Sequence, residues 1–193
     1  MDLNLQALLA LARFTLQSPR EGARRVMKAA MPVQARWVAL GITAIVSAML
    51  AHLSIALMPI EFRAQMGQGM SPFVTAVVQA GLLVASVYLV HAVGRWRGGT
   101  GSFEDALILM VWLQFILLML QLLQIVVQVV LPPLSDLVGL ISVAVFLWLL
   151  SNFVAELHGF RSVGKVFFGI LLTIFVFGLL LAFLLFPVIG VGA

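Results

Sequence analysis

The amino-acid sequence predicts an all-α membrane protein, a bundle of five transmembrane helices preceded by a short amphipathic helix lying in the membrane interface. Two observations carry that expectation. Apolar residues make up 63% of the 193 residues and charged residues only 9%, with a mean hydropathy of +1.19; soluble domains hold roughly half apolar and a quarter charged. Five apolar runs also reach the length of about 20 residues needed to cross a hydrocarbon layer of about 30 Å.

Residues 1–31 are expected to form cytoplasmic amphipathic and basic helices. On a helical wheel Asp2, Gln6, Arg13 and Gln17 share one stripe, while Leu3, Ala7, Leu11 and Phe14 occupy much of the remainder. Such a helix suits the interface. Its basic residues follow the apolar stretch, the reverse of a secretory signal, so no cleavage is expected. Ser18, Pro19 and Glu21 have the spacing of an N-cap, a first-turn proline and a capping-box glutamate, which starts a second short helix. Arg20, Arg24 and Lys28 recur at a spacing of four and, with Arg25, are candidates to hold anionic headgroups, each cation gaining about 1 kcal/mol. An orientation signal without a specific lipid explains them as well.

Residues 32–193 hold the five spans, placed at 37–58, 73–93, 106–131, 137–154 and 166–188. The connections carry helix stops and starts: Pro59 and residues 67–72, then 98–102, Pro132 with Pro133, and 159–164. Too little chain is left outside the spans for a separate soluble core. Arg13, Arg20, Arg24, Arg25, Lys28 and Arg36 precede the first span, Arg95 and Arg97 follow the second, and Arg161 and Lys165 follow the fourth. That is ten of the eleven basic residues on one side, leaving only Arg63 on the other. The positive-inside rule therefore places the N-terminus in the cytoplasm and the C-terminus outside.

The glycine-rich segment Gly98-Gly99-Thr100-Gly101-Ser102 invites a phosphate-binding reading. It lacks the Gly-Lys-Ser/Thr of a P-loop and the strand and spacing of a dinucleotide fingerprint. Ser102 as N-cap with Asp105 three residues on, and Glu104 beside it in the first turn, mark a tight turn into the third span.

Three stretches carry a family resemblance: SPREGARRVMKAAMP before the first span, GGTGSFEDAL opening the third and ELHGFRSVGKVFFGILL opening the fifth. With the five spans they resemble the Yip family, the Yip-one domain of membrane proteins named for interacting with Ypt/Rab GTPases, in its prokaryotic branch. The resemblance runs from about Ser18 to the end. For eukaryotic members it implies ER and Golgi proteins of vesicle transport, with partners held through a cytoplasmic N-terminal region and the bundle. That long region is not seen before the first span here, so what carries over is a fold and a membrane address.

The candidate chemistry lies inside the bundle. Gln114, Gln121, Gln124 and Gln128 fall within one stripe about 80° wide on the third span. Interhelical hydrogen bonding, worth about 0.6 kcal/mol per contact, explains such a row, and a polar pathway is the sharper alternative. His52 and His91 are intramembrane ionisable candidates without a third metal ligand. Arg95, Arg97, Gly98, Gly99, Ser102, Asp105, His158, Arg161 and Lys165 form a candidate partner surface on the cytoplasmic loops, with His158 expected at the surface. Gly41, Ala44, Ala48, Ala51, Ala76 and Ala80 suit close helix packing, and the phenylalanines of the fifth span suit lipid.

No HExxH, GxSxG or paired intramembrane carboxylates are present, and with no cysteine thiolate chemistry is excluded. The expectation is a multi-pass, non-enzymatic adaptor or accessory protein of a bacterial cytoplasmic membrane. It binds membrane proteins or anionic lipids and needs no cofactor, metal or nucleic acid, with self-association open. The alternatives are a transporter or channel using the glutamine face and, more weakly, lipid handling at the inner leaflet.

Overall fold

The computed structural model describes residues 4–29, 31–65 and 69–189. Within them run eight helices: α1 (Leu5–Gln17), α2 (Pro19–Met27), α3 (Val33–Ala56), α4 (Ile60–Gln65), α5 (Pro72–Trp96), α6 (Phe103–Val130), α7 (Ser135–His158) and α8 (Val163–Ile189). A 3-10 turn at Pro132–Leu134 joins α6 to α7, and no strand occurs among the described residues. Helices α3, α5, α6, α7 with its preceding turn, and α8 are long and apolar enough to cross a membrane. The fold is thus an all-α, five-span membrane bundle. Asp2, Leu3 and Gly67 lie outside the described residues.

Helix ends follow local chemistry. Ser71 and Ser102 cap α5 and α6 by accepting the backbone N–H groups of Val74 and Asp105. Pro132 and Pro133 follow at once where α6 stops. Helix α7 ends in a left-handed Gly159 at φ 72°, and the N–H groups of Gly159 and Phe160 return to the carbonyls of Glu156 and Ala155. These are the two bonds of a Schellman stop, which glycine enters without the Cβ penalty.

The long α6 is the centre. Of its most apolar stretch 61% is buried, against 6% for α5 and 11% for α8, because α6 is packed by α3, α5, α7 and α2. Its 28 residues span about 42 Å at 1.5 Å per residue, so it tilts within or projects beyond the hydrocarbon. Helix α3 buries Leu40, Ala44, Ser47 and Ala48, one stripe at helical spacing, and Ala44 and Ala48 let neighbouring backbones approach closely. Phe168, Phe175 and Phe183 of α8 remain exposed, as expected of a lipid-facing surface.

The N-terminal helices dock on one end of the bundle, called here the basic end. Leu8, Leu11, Ala12 and Thr15 of α1 and Ala23 and Val26 of α2 are buried or half-buried in the shared core. Leu5, Leu9 and Leu16 stay exposed beside Gln6, Arg13 and Gln17. Helix α1 therefore has three strips, one on the bundle, one apolar and free, one polar, where the wheel reading distinguished two. Ser18 also departs from the expected capping box, since its side chain makes no cap bond. Its backbone N–H is already held by the Phe14 carbonyl that ends α1, and a single residue serves as the corner between two helices.

Candidate functional site

At the basic end the last turn of α7 is inserted under the glycine turn between α5 and α6. His158 is only 3% exposed. Its Nδ1 accepts the Gly101 N–H at 3.3 Å, so the proton sits on Nε2, which donates to the Val90 carbonyl at 3.1 Å. One imidazole thereby ties α5, the turn and α7 together. A Cβ on Gly94 or on Gly99 would overlap that ring, and one on Gly101 would lie 2.6 Å from Leu157 Cγ. Gly98 takes a φ of 86°, a left-handed value suited to glycine. The glycines are there because α7 presses against the turn, and the expected surface position of His158 is corrected: the ring is interior, and Gly99 is buried with it.

Of the acidic residues at this end Glu156 and Asp105 are engaged, while Glu21 and Glu104 are exposed. Glu156 accepts from Arg20 Nε at 3.0 Å through Oε2 and pairs with Arg24 at 2.8 Å through Oε1, and Arg20 also donates to the Phe160 carbonyl. Two of the four expected headgroup cations are therefore turned onto α7, because docking α2 brings them over the one carboxylate there. Arg25 lies 3.8 Å over the Phe14 ring, and it and Lys28 remain exposed. Ser102 donates to Asp105 while accepting its N–H. Buried Arg36 donates to the carbonyls of Met31 and Glu104 and lies 3.9 Å from Asp105. What the basic end displays outward is Arg95, Trp96, Arg97, Arg161 and Lys165, all exposed, with the Arg97 guanidinium over the Trp96 ring at 5.2 Å. None of these cations forms an ion pair among the described residues.

A family model described as the Yip1 domain matches residues 14–184. The chain belongs to the Yip1-domain family. No curated protein matches it, and no solved structure does. The match takes in the three segments that carry the resemblance and nearly all of the geometry above.

In this Yip1 domain the glutamine row divides. Gln121 Nε2 donates to the Ser47 carbonyl at 3.3 Å while Ser47 Oγ donates to Gln121 Oε1 at 3.2 Å. Gln128 and Ser54 repeat the arrangement at 2.9 and 2.6 Å. The two clips stand seven residues apart on parallel helices α3 and α6, and Gln79 of α5 adds a third arm by donating to Ser47 Oγ at 2.9 Å. Gln124 faces Gly139 of α7, where a Cβ would come within 3.2 Å of its amide, and Gln114 is buried. Thus two of the four glutamines hold α3 by hydrogen bonds, and they do not form one uniform lining.

His52 and His91 do not come together. Thr75 donates its hydroxyl to the Ser71 carbonyl and so accepts from His52 Nε2 at 3.0 Å, joining α3 to α5. His91 meets the Phe103 ring edge-on at 5.8 Å, and its buried Nδ1 has no partner. No group of three His, Asp or Glu side chains is placed to hold a metal among the described residues.

In the sequence Arg36 and Glu156 stand out only as charges, and Thr15 does not stand out. Thr15 is fully buried, donates to the Leu11 carbonyl and accepts from Trp112 Nε1 at 3.2 Å. A threonine on the apolar side of α1 and an arginine directly before a span were the available signals.

Proposed function

We propose that this Yip-family protein is a non-enzymatic adaptor or accessory protein of a bacterial cytoplasmic membrane, with its basic end in the cytoplasm and a membrane-protein partner docking there. The observation that carries this reading is the Trp96–Arg97 pair, exposed at the end of α5 where His158 ties that helix to the following turn. Tryptophan and arginine contribute disproportionately to protein interfaces, and a turn already fixed loses little freedom when a partner binds. Trp96 is 78% exposed, so its ring is available for such a contact. The transporter alternative draws less support, since Gln121 and Gln128 already spend their amides on α3.

The test is a photocrosslinking amino acid at exposed Thr100 in native membranes, with the lipid-facing position Phe175 as control. The adaptor reading expects a discrete protein adduct at Thr100, absent at Phe175 and lost when Trp96→Ala and Arg97→Ala are combined. Absence of any protein adduct, together with solute flux through the pure reconstituted protein, would overturn it.

A further inference from the structure

Between α5 and α8, floored by α6 and α7, lies a cleft of about 480 Å³, within the range of about 300–1,000 Å³ typical of small-molecule sites. Its walls are apolar, with Leu89 and Val93 of α5, Met110 of α6, Leu150 of α7 and Ile170 of α8 among them. Its mouth is basic: Arg97, Arg161 and Lys165 meet there with Ser162. Measured along α8 from Lys165 to Ile174, or along α5 from Arg97 to Ser86, the cleft is about 14–17 Å deep at 1.5 Å per residue. That is close to half of a hydrocarbon layer of about 30 Å, the depth of one leaflet. Helix α8 packs on α7 and stands off from α5, so the cleft opens sideways as well as at its mouth.

The geometry points to a binding site for one anionic phospholipid taken from the leaflet around the basic end, with an acyl chain in the cleft and the phosphate among Arg97, Arg161 and Lys165. The hydroxyls of Ser86 and Thr173 at the deep end donate to the carbonyls of Leu82 and Gly169 in their own helices, and a slot otherwise this apolar offers water too few partners to hold it. The charges complement as well. No carboxylate lines the cleft, and none of the three mouth cations has an acidic partner among the described residues. Lateral access lets a chain enter from the bilayer without leaving hydrocarbon. The site stands whether or not a protein partner docks at Trp96.

The experiment uses the full chain in detergent, offered equal amounts of dioleoylphosphatidylglycerol and dioleoylphosphatidylethanolamine and weighed by native mass spectrometry. One phosphatidylglycerol should be retained in preference. Combining R97A, R161A and K165A should lower its retention about tenfold or more, since each cation near a headgroup contributes. These positions are exposed, so the variant is expected to fold. Gly169→Phe should also lower retention by filling the cleft, because Gly169 lines it and has open space beside it. Arg25→Ala, basic and exposed at the same end but outside the cleft, should leave retention unchanged, and glycerol phosphate should not compete. Equal retention of both lipids, an unaffected triple variant, equal loss with Arg25→Ala, or competition by glycerol phosphate would each overturn the site.

Discussion

Glycine at positions 94 and 99 is dictated by a histidine that lies far along the chain. Both backbones touch the His158 ring closely enough that no Cβ fits, and the ring cannot retreat without giving up its bonds to Gly101 and Val90. Gly99→Ala should therefore cost about 1–3 kcal/mol, the range for overpacking a filled site, and lower the thermal unfolding midpoint in detergent. Gly41→Ala is the contrast. Nothing lies within 4 Å of the added Cβ there, and in a helix alanine is favoured over glycine by about 1 kcal/mol, so the midpoint should hold or rise. The sequence marked residues 98–102 as a turn and Ser102 with Asp105 as a helix start, because those signals are local. It could not show why Gly99 is glycine, since the cause, His158, sits 57 residues beyond Gly101 of the same turn. The same distance hid the burial of His158, whose neighbours in sequence, Glu156 and Arg161, suggest a surface.

Among the helices, polar side chains set register where lipid-like surroundings make apolar contacts non-specific. The Ser47–Gln121 and Ser54–Gln128 clips lock α3 beside α6 at two points one heptad apart. Membrane hydrogen bonds contribute about 0.6 kcal/mol each on average. A double-mutant cycle of Ser54→Ala and Gln128→Leu, read by unfolding in detergent, should return a coupling of about 0.5–1.5 kcal/mol. A coupling of zero would mean that the clip adds nothing. Helix α2 is held differently, through Arg20 and Arg24 on Glu156. Those arginines are substantially exposed, which limits each pair to about 1 kcal/mol or less. Glu156→Gln should consequently loosen α2 without unfolding the spans. Limited proteolysis should then cut within residues 19–29 several times faster, while the far-ultraviolet helix signal stays within about a tenth of its starting value. Helix identity was legible because runs of about 20 apolar residues leave little choice. The glutamine stripe was legible as a face but not as a set of partners, since a wheel shows which residues share a side and not which helix covers that side.

For the molecule as a whole, charge and apolar burial gather at the same end of the bundle. The core concentrates in the first half of α6, where Ala106 through Gln114 are all buried, and the N-terminal helices complete it by covering the same end. Amphipathicity revealed those helices but could not distinguish a strip that packs on protein from one that packs on lipid, because both are apolar; Thr15 against Trp112 decides it for Leu11 and Ala12. Orientation follows from the one-sided charge. Every basic residue except Arg63 lies in the N-terminal helices, in the first turn of α3, or in and beside the two connections at the basic end, while the turn at Pro132–Leu134 that precedes α7 is at the other. Moving cations across a bilayer is unfavourable during insertion, so the basic end should stay inside. The chain has no cysteine, which allows a direct measurement with single cysteines at exposed Thr100 and exposed Asp136. In intact cells a membrane-impermeant maleimide should label Asp136→Cys at once and Thr100→Cys only after the membrane is permeabilised. The reverse pattern would invert the topology, and labelling of both in sealed cells would mean a dual orientation, in conflict with ten of eleven basic residues lying on one side.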